Sequence, residues 1–409
     1  MTTTQTTARP DADLLPPLSR EAVLDNTLAV LPVVEQEAGE CDRIGRLTPR
    51  MAQTLRAAGL FEMGYPADRG GLEMSLVDQV RVVAAIARVD AGIGWNVGVL
   101  NASGYYAGRL GEEAYAELYP TRDRPTSGSF HPRGRAEVTE GGYLVSGRWD
   151  WGSGSYIADH IVGGCLVYED GRQVMGPTGA PLVLGVWLPR DAVQHLDNWH
   201  TVGVRGSGSA SYVIRTPAFV PAAHTFDREA VPSADRNPLN KHVTTAFFPL
   251  TGVCLGLGRH LLDIAIGAQR AKAGERGSGG VDPISRLLLG QVITEVDTME
   301  AAVTEIAAEA DRVLFTPGRH LDPVLEARLT ATNPMTSLVL ERILPLCQDL
   351  AGSRYLFQDH PMERVIRDVA AAKAHAGAKR TMMLGVADAA IDHPDAASTA
   401  FEQSWRRDA

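Results

Sequence analysis

Residues 142–155 read Gly-Tyr-Leu-Val-Ser-Gly-Arg-Trp-Asp-Trp-Gly-Ser-Gly-Ser, and the pattern changes in the middle. The first half alternates, with Tyr143, Val145 and Gly147 on one side and Leu144, Ser146 and Arg148 on the other. Gly141-Gly142 supplies a turn before it, so this is one arm of a β-hairpin. The second half runs through Trp149 and Trp151 into Gly152-Ser-Gly-Ser155. Aromatic faces beside a Gly/Ser loop can hold a flat heteroaromatic ring: the indoles stack, and N–H and hydroxyl groups meet the ring's polar edge. An ordinary hairpin with two core tryptophans has the same pattern, and both readings stand at this point.

Working outward, the period of two covers residues 125–222. Segments 135–149, 158–168, 181–188 and 210–219 are rich in Val, Ile, Tyr and Trp, and Gly-bearing turns such as Glu169-Asp-Gly171 separate them. This is a central β-domain. Residues 18–124 before it are helical, with Ser75 and Asp90 placed to start helices. Gly92, Gly94 and Gly98 in the second of these cost helix stability and permit close packing against another helix or a ligand. After an extended linker, 223–240, helices are predicted near 241–273, 282–315, 322–352 and 361–391, with a mobile loop at 274–280. Helices of about 30 residues span roughly 45 Å, and four of them suit an antiparallel bundle over 241–409. Residues 1–17 read as a disordered tail. The expected class is α+β, mainly α. Separate β and α blocks, rather than alternating βαβ units, argue against a Rossmann fold.

Composition narrows the function. The 409 residues carry a net charge of −10 without a basic block, which argues against a nucleic-acid partner. No apolar run reaches the roughly 18–20 residues of a membrane span, and the polar N-terminus lacks an apolar signal core, so a cytoplasmic location is expected. Cys41, Cys165, Cys254 and Cys347 are scattered and read as buried thiols. His195, His200 and His260 do not fall at metal-ligand spacing with carboxylates, so no metal is expected. No Gly-x-Gly-x-x-Gly follows a strand to open a βαβ unit, which leaves no NAD(P)H site in this chain.

Four stretches then carry a family resemblance. They are Ser129-Phe-His-Pro-Arg-Gly-Arg-Ala136 with the hairpin arm to Trp149, Trp151-Gly-Ser-Gly-Ser155 with Ala158-Asp-His160, Val204-Arg-Gly-Ser-Gly-Ser209, and Ala351-Gly-Ser-Arg-Tyr355 followed by Pro361-Met-Glu-Arg-Val-Ile-Arg-Asp368 and His375. In this order the chain resembles the acyl-CoA dehydrogenase fold, in its flavin-dependent monooxygenase branch, alongside reductase-coupled aromatic hydroxylases, dibenzothiophene monooxygenase and amino-sugar nitrososynthases. Acyl-CoA dehydrogenases commonly carry a catalytic glutamate nine residues after the arginine of the Arg-Asp pair. Here that position is Ala376, which cannot remove a proton, and its neighbour His375 resembles the histidine of the monooxygenase branch.

The resemblance implies a two-component oxygenase. Reduced flavin (FMN or FAD) comes from a separate NAD(P)H-flavin reductase and reacts with O2 to a C4a-hydroperoxyflavin. A small organic substrate is then hydroxylated or N-oxygenated, natural-product metabolism being one setting, by what is usually a homotetramer. It also implies roles. Ser153 aligns with the serine that donates near flavin N5, and Ser155 is the second choice. His375 is a base or a positive charge, or else a histidine packed on a helix. Trp151, Gly154, Phe130 and His131 are expected around the flavin, Arg205 lines the flavin or only turns the chain, and Gly352 and Ser353 are expected near the flavin of a neighbouring subunit. Arg270 is a flavin-phosphate ligand or a surface arginine. Trp95 faces a substrate pocket or fills a core. Where several relatives have a histidine soon after this tryptophan, this chain has none, and Asn101, Ser103 or Tyr105 stands in for it. Two other readings compete: an acyl-CoA dehydrogenase or oxidase with its base elsewhere, and a non-catalytic binding or assembly protein on the same fold.

Overall fold

Side-chain caps start the first helices. Ser19, Thr48, Ser75 and Asp90 each accept the backbone N–H three residues on, opening α1 (Arg20–Ile44), α2 (Pro49–Ala57), α3 (Leu76–Val89) and α4 (Ala91–Leu100). Short helices α5 (Ser103–Gly108) and α6 (Glu112–Leu118) complete this region. The computed structural model describes residues 18–228, 230, 237–275 and 280–394; the predicted tail, part of the linker and most of the 274–280 loop lie outside the described residues.

Among the described residues eight strands form one sheet: β1 (Thr126–Thr139), β2 (Gly142–Trp149), β3 (His160–Glu169), β4 (Arg172–Gln173), β5 (Val183–Trp187), β6 (Gln194–His195), β7 (Tyr212–Pro221) and β8 (Thr225–Asp227). Their order is β6-β7-β2-β1-β3-β5-β8, with β4 on β3. Only β1 and β3 run parallel; the other pairs are antiparallel. Residues 225–227, expected in the linker, add a strand to β5, so the sheet continues past residue 222.

The two tryptophans of the organising stretch part company. Trp149 is fully buried and stacks on Tyr212 at 5.6 Å between centroids, and its Nε1–H donates to the Gly164 carbonyl at 2.9 Å. Gly134 and Gly163 leave room for the indole: a Cβ at either position would lie within 2.6 Å of the ring. Trp151 sits in the left-handed region at φ 66° and is 70% exposed. One indole is core and the other is surface.

The bundle is built on α8 (Thr251–Glu275), α9 (Pro283–Leu314) and α10 (Pro323–Ala351), preceded by α7 (Val243–Phe247). Val243–Gly274 is long and apolar enough by composition to cross a membrane, yet its apolar 18-residue stretch is 67% buried inside this chain, as in the core helix of a bundle. The α4 glycines serve packing. A Cβ on Gly98 would reach Leu250 at 3.1 Å, and one on Gly92 would reach the Gly206 backbone at 3.0 Å.

The expected helix 361–391 is interrupted. It divides into α11 (Met362–Ala372), two 3-10 turns at Ala376–Ala378 and Arg380–Met383, and α12 (Leu384–Asp392). The cause is local. His375 has extended backbone (φ −59°, ψ 146°), and its Nδ1 accepts the Gly377 N–H, a side-chain bond that competes with the helical ladder.

Candidate active site

Three segments meet at Ser153. It follows Trp151 and Gly152 at the end of β2, and its carbonyl accepts the Ser127 hydroxyl of β1 at 2.8 Å. From α4, Trp95 donates its Nε1–H to Ser153 Oγ at 3.1 Å. From the loop after β6, Ser209 shares a 2.6 Å hydroxyl–hydroxyl bond with Ser153, and Ser207 lies 2.7 Å beyond Ser209. The Gly154 N–H donates to the Ser207 carbonyl at 3.1 Å and ties the two loops together. All three serines are buried, and Trp95 is 9% exposed.

His375 completes this cluster from the bundle side. Its ring meets Trp95 edge to face, 5.2 Å between centroids. Burial lowers its pKa below the ordinary imidazole value, which keeps the ring neutral at pH 7 and works against the positive-charge role. With Nδ1 accepting a backbone N–H, the neutral ring carries its proton on Nε2. The histidine therefore caps a 3-10 turn at a helix break, rather than packing along a helix.

Beside the cluster lies a groove of about 270 Å³ lined by Trp151, Trp199, Asn198, Thr201, Ser209 and Ser211, with Arg148 and Asp150. Trp151 and Trp199 meet edge to face at 5.8 Å. Ser209 belongs to both groove and cluster. The volume sits near the lower end of small-molecule sites, roughly 300–1,000 Å³, so it suits a ring system more than a whole cofactor. An exposed indole, a second indole and a row of hydroxyls fit the polar edge and flat face of a flavin ring. Hollows of about 560 and 570 Å³ lie at Glu169–Val174 and between α10 and α12, where no Trp, Tyr or Phe is among the described lining residues.

Other expected site residues are placed elsewhere. Ser155 is fully buried and its hydroxyl lies 3.0 Å from His195 Nε2, away from Trp95. His195 stacks on Tyr156 at 4.5 Å, and burial, aided by Arg190, pushes its pKa down to about 4, so it is neutral. The proposed pocket set of Trp95, Asn101 and Tyr105 is not brought together. Asn101 turns to the Gln79 side chain, leaving its Oδ1 without a partner. Tyr105 accepts from Arg109 and packs by Tyr106 and Phe130. Asn101 caps α4 six positions after Trp95, a spacing that turns the two to different sides of the helix. Phe130 stacks on Tyr106 at 5.1 Å, and His131 is exposed on the irregular part of β1.

Arg205 reaches Asp42 at 3.8 Å, and its carbonyl accepts the Trp199 Nε1–H at 3.0 Å. Arg270 is exposed late in α8. Gly352 ends α10 at φ 71°, and Ser353 is exposed after it. Arg367 and Asp368 do not pair as neighbours: Arg367 bonds Asp42 and Glu363, whereas Asp368 accepts the Val204 N–H at 2.6 Å. All four cysteines are buried free thiols, and burial raises each pKa, that of Cys41 to about 11. Sequence reasoning singled out the 204–209 loop but not Ser207 or Ser209. The Gly-Ser alternation was visible. The two left-handed residues that aim it, Val204 and Gly208, were not.

Comparison with known proteins agrees with this architecture. The acyl-CoA dehydrogenase N-terminal domain family matches residues 30–120, and the acyl-CoA dehydrogenase C-terminal domain family matches residues 250–380. The chain is 26% identical over 366 residues to the oxygenase subunit HsaA, a flavin-dependent monooxygenase of Rhodococcus jostii, covering 85% of this chain and 92% of that one. The structure of XiaF from Streptomyces sp., in complex with FADH2 and glycerol, superposes with a TM-score of 0.81 at 21% identity, covering 91% of this chain and 96% of that one. FMN-bound TdsC from Paenibacillus sp. A11-2 gives 0.77 at 20% identity, covering 91% and 97%. The two matched domains together take in more than half of the chain, which therefore belongs to the acyl-CoA dehydrogenase family, and the relatives it aligns with over most of its length are flavin-dependent monooxygenases.

Proposed function

We propose that this chain is the oxygenase component of a two-component system. It receives reduced FMN or FAD from a separate NAD(P)H-flavin reductase and transfers one oxygen atom of O2 to a small organic molecule, by hydroxylation or N-oxygenation. The observation that carries the reading is the junction of Trp95, Ser153 and Ser209 beside His375 and the Trp151 groove.

Reduced flavin, when bound, supplies the electrons that activate O2. The protein's part is positioning, water exclusion and proton handling. Trp151 offers the stacking face. Ser153 presents a hydroxyl whose oxygen already accepts from Trp95, and Ser209 and Ser207 extend that hydroxyl into a buried chain. His375, neutral with its proton on Nε2, donates a hydrogen bond rather than a charge. Ala376 offers no base for an acyl-CoA dehydrogenase.

A homotetramer in the cytoplasm belongs to the same proposal. Exposed apolar side chains on α9 (Ile284 and Leu287) and at Leu356 and Phe357 support self-association. The test is a coupled assay with a flavin reductase, scored for oxygenated product by mass spectrometry across phenolic, indolic and amine substrates. Incorporation of one atom from 18O2 supports the proposal. Bleaching of bound FAD by acyl-CoA thioesters, without oxygen incorporation, contradicts it.

A further inference from the structure

Val204 is, like Trp151, an unusual backbone position of this site. It is buried and β-branched, yet it lies in the left-handed region at φ 51°, ψ 34°. Such a residue at positive φ is a true outlier and must be held there by its surroundings. The conformation has a purpose visible downstream: the chain turns through Arg205–Ser207 and Gly208, and delivers Ser207 and Ser209 to Ser153.

What holds Val204 is a carboxylate from the bundle. Asp368 of α11 is 3% exposed, and its Oδ1 accepts the Val204 N–H at 2.6 Å. The adjacent residue is docked on the same helix: a Cβ on Gly203 would lie 2.0 Å from the Arg367 carbonyl oxygen, and Arg367 Nη1 donates to the Val202 carbonyl at 3.0 Å. On the far side, Asn96 of α4 donates to the Gly206 carbonyl at 3.0 Å. A buried carboxylate is expensive to keep. Burial and the nearby Asp90 raise its pKa, and the bond from Val204 and the charge of Arg367, whose guanidinium bonds Asp42 and Glu363, offset this only in part. Its resolved hydrogen bond goes to the one strained peptide of the loop.

We propose that Asp368 is a positioning residue of the oxygenase site, which holds Val204 in its left-handed conformation and thereby keeps Ser207 and Ser209 on Ser153. The inference rests on the reading of Ser153 as part of that site. It differs from an ion-pair role for the Arg-Asp motif, because the acceptor function alone is needed and the charge is not.

The test uses the full-length protein in four forms: wild type, Asp368→Ala, Asp368→Asn, and Asp368→Ala with Val204→Gly. Two quantities are read. One is amide hydrogen exchange of residues 203–209. The other is the rate of peroxide release when protein premixed with chemically reduced FMN or FAD meets aerated buffer; without substrate each reduced flavin ends as one peroxide, so the rate is the readout. Asp368→Ala should speed exchange in this segment by about tenfold or more, the factor for each ~1.4 kcal/mol of lost local stability, and should speed peroxide release. Asp368→Asn keeps an acceptor oxygen and should match wild type in both. Val204→Gly removes the Cβ penalty and should restore the Asp368→Ala protein.

Wild-type exchange in Asp368→Ala overturns the proposal, as does a loosened loop with an unchanged rate of peroxide release. If Asp368→Ala does not fold, folding of the double variant supports the proposal, and failure of both while Asp368→Asn folds overturns it. Ser153→Ala separates the underlying reading: if it releases peroxide no faster than wild type, the site reading fails, while loop exchange still reports on Asp368.

Discussion

Replacing Ser153 by alanine removes one oxygen atom from a place where two hydrogen bonds converge. Trp95 Nε1–H, buried with its indole, loses its acceptor at 3.1 Å, and Ser209 loses its 2.6 Å partner while keeping Ser207. An unsatisfied buried donor costs about 1–3 kcal/mol, and a neutral hydrogen bond is worth about 0.5–1.5 kcal/mol net. The variant should therefore unfold at lower urea concentration with an unchanged slope, the signature of lost stability at constant exposed surface. If the missing hydroxyl also donates to bound flavin, losing a bond of that size speeds peroxide loss roughly two- to tenfold. The assay is the rate of peroxide release in a single turnover, after protein premixed with reduced flavin meets oxygenated buffer. Ser155→Ala is the control, because its hydroxyl faces neutral His195; it should leave that rate unchanged. A Ser153→Ala protein that is destabilised but keeps the wild-type rate of peroxide release would refute the catalytic assignment and leave Ser153 as a structural hub.

Three further outcomes are expected. His375→Ala should retain flavin binding and lose oxygenated product. Because burial holds the working ring neutral, turnover should be complete at neutral pH and decline only as pH falls below the usual imidazole range; a rise in activity with an apparent pKa above 7 would contradict this. Trp151→Ala should weaken flavin affinity by roughly two- to tenfold, the worth of one aromatic contact, measured by fluorescence titration, while Trp149→Ala should instead destabilise the sheet. Asp311, which accepts the N–H groups of Leu76 and Val77, has its carboxyl pushed up to about 6 by burial. Native protein then binds more protons than unfolded protein between about pH 4 and 6, so its contribution is fully present below about pH 4 and is lost as pH rises through 6. Asp311→Asn should flatten the slope of stability against pH in that window; an unchanged slope would assign it to other groups.

The sequence made the architecture legible because its signals are local. Caps at Ser75 and Asp90 and the period-two run from Tyr143 mark helix starts and a strand without knowledge of partners. The site was legible in outline only. Trp149 and Trp151 look alike in the chain, and the difference between core and groove comes from Gly134 and Gly163, distant glycines that admit only the first. His375 was found, but the break in its helix depends on a bond to Gly377 that helical periodicity hides. Asn101 and Tyr105 were placed by their closeness in sequence to Trp95, and helix geometry turned them to other packing partners. Ser209 was passed over because its role depends on a left-handed valine, a conformation that residue type argues against.

The most direct measurement is anaerobic mixing of this protein with reduced FMN or FAD, followed by rapid exposure to oxygenated buffer in a stopped-flow spectrometer. The account predicts a transient, blue of the oxidised-flavin band, that outlives the one seen without protein and is shortened in Ser153→Ala. Direct appearance of oxidised flavin, at the same rate with and without the protein, would contradict it.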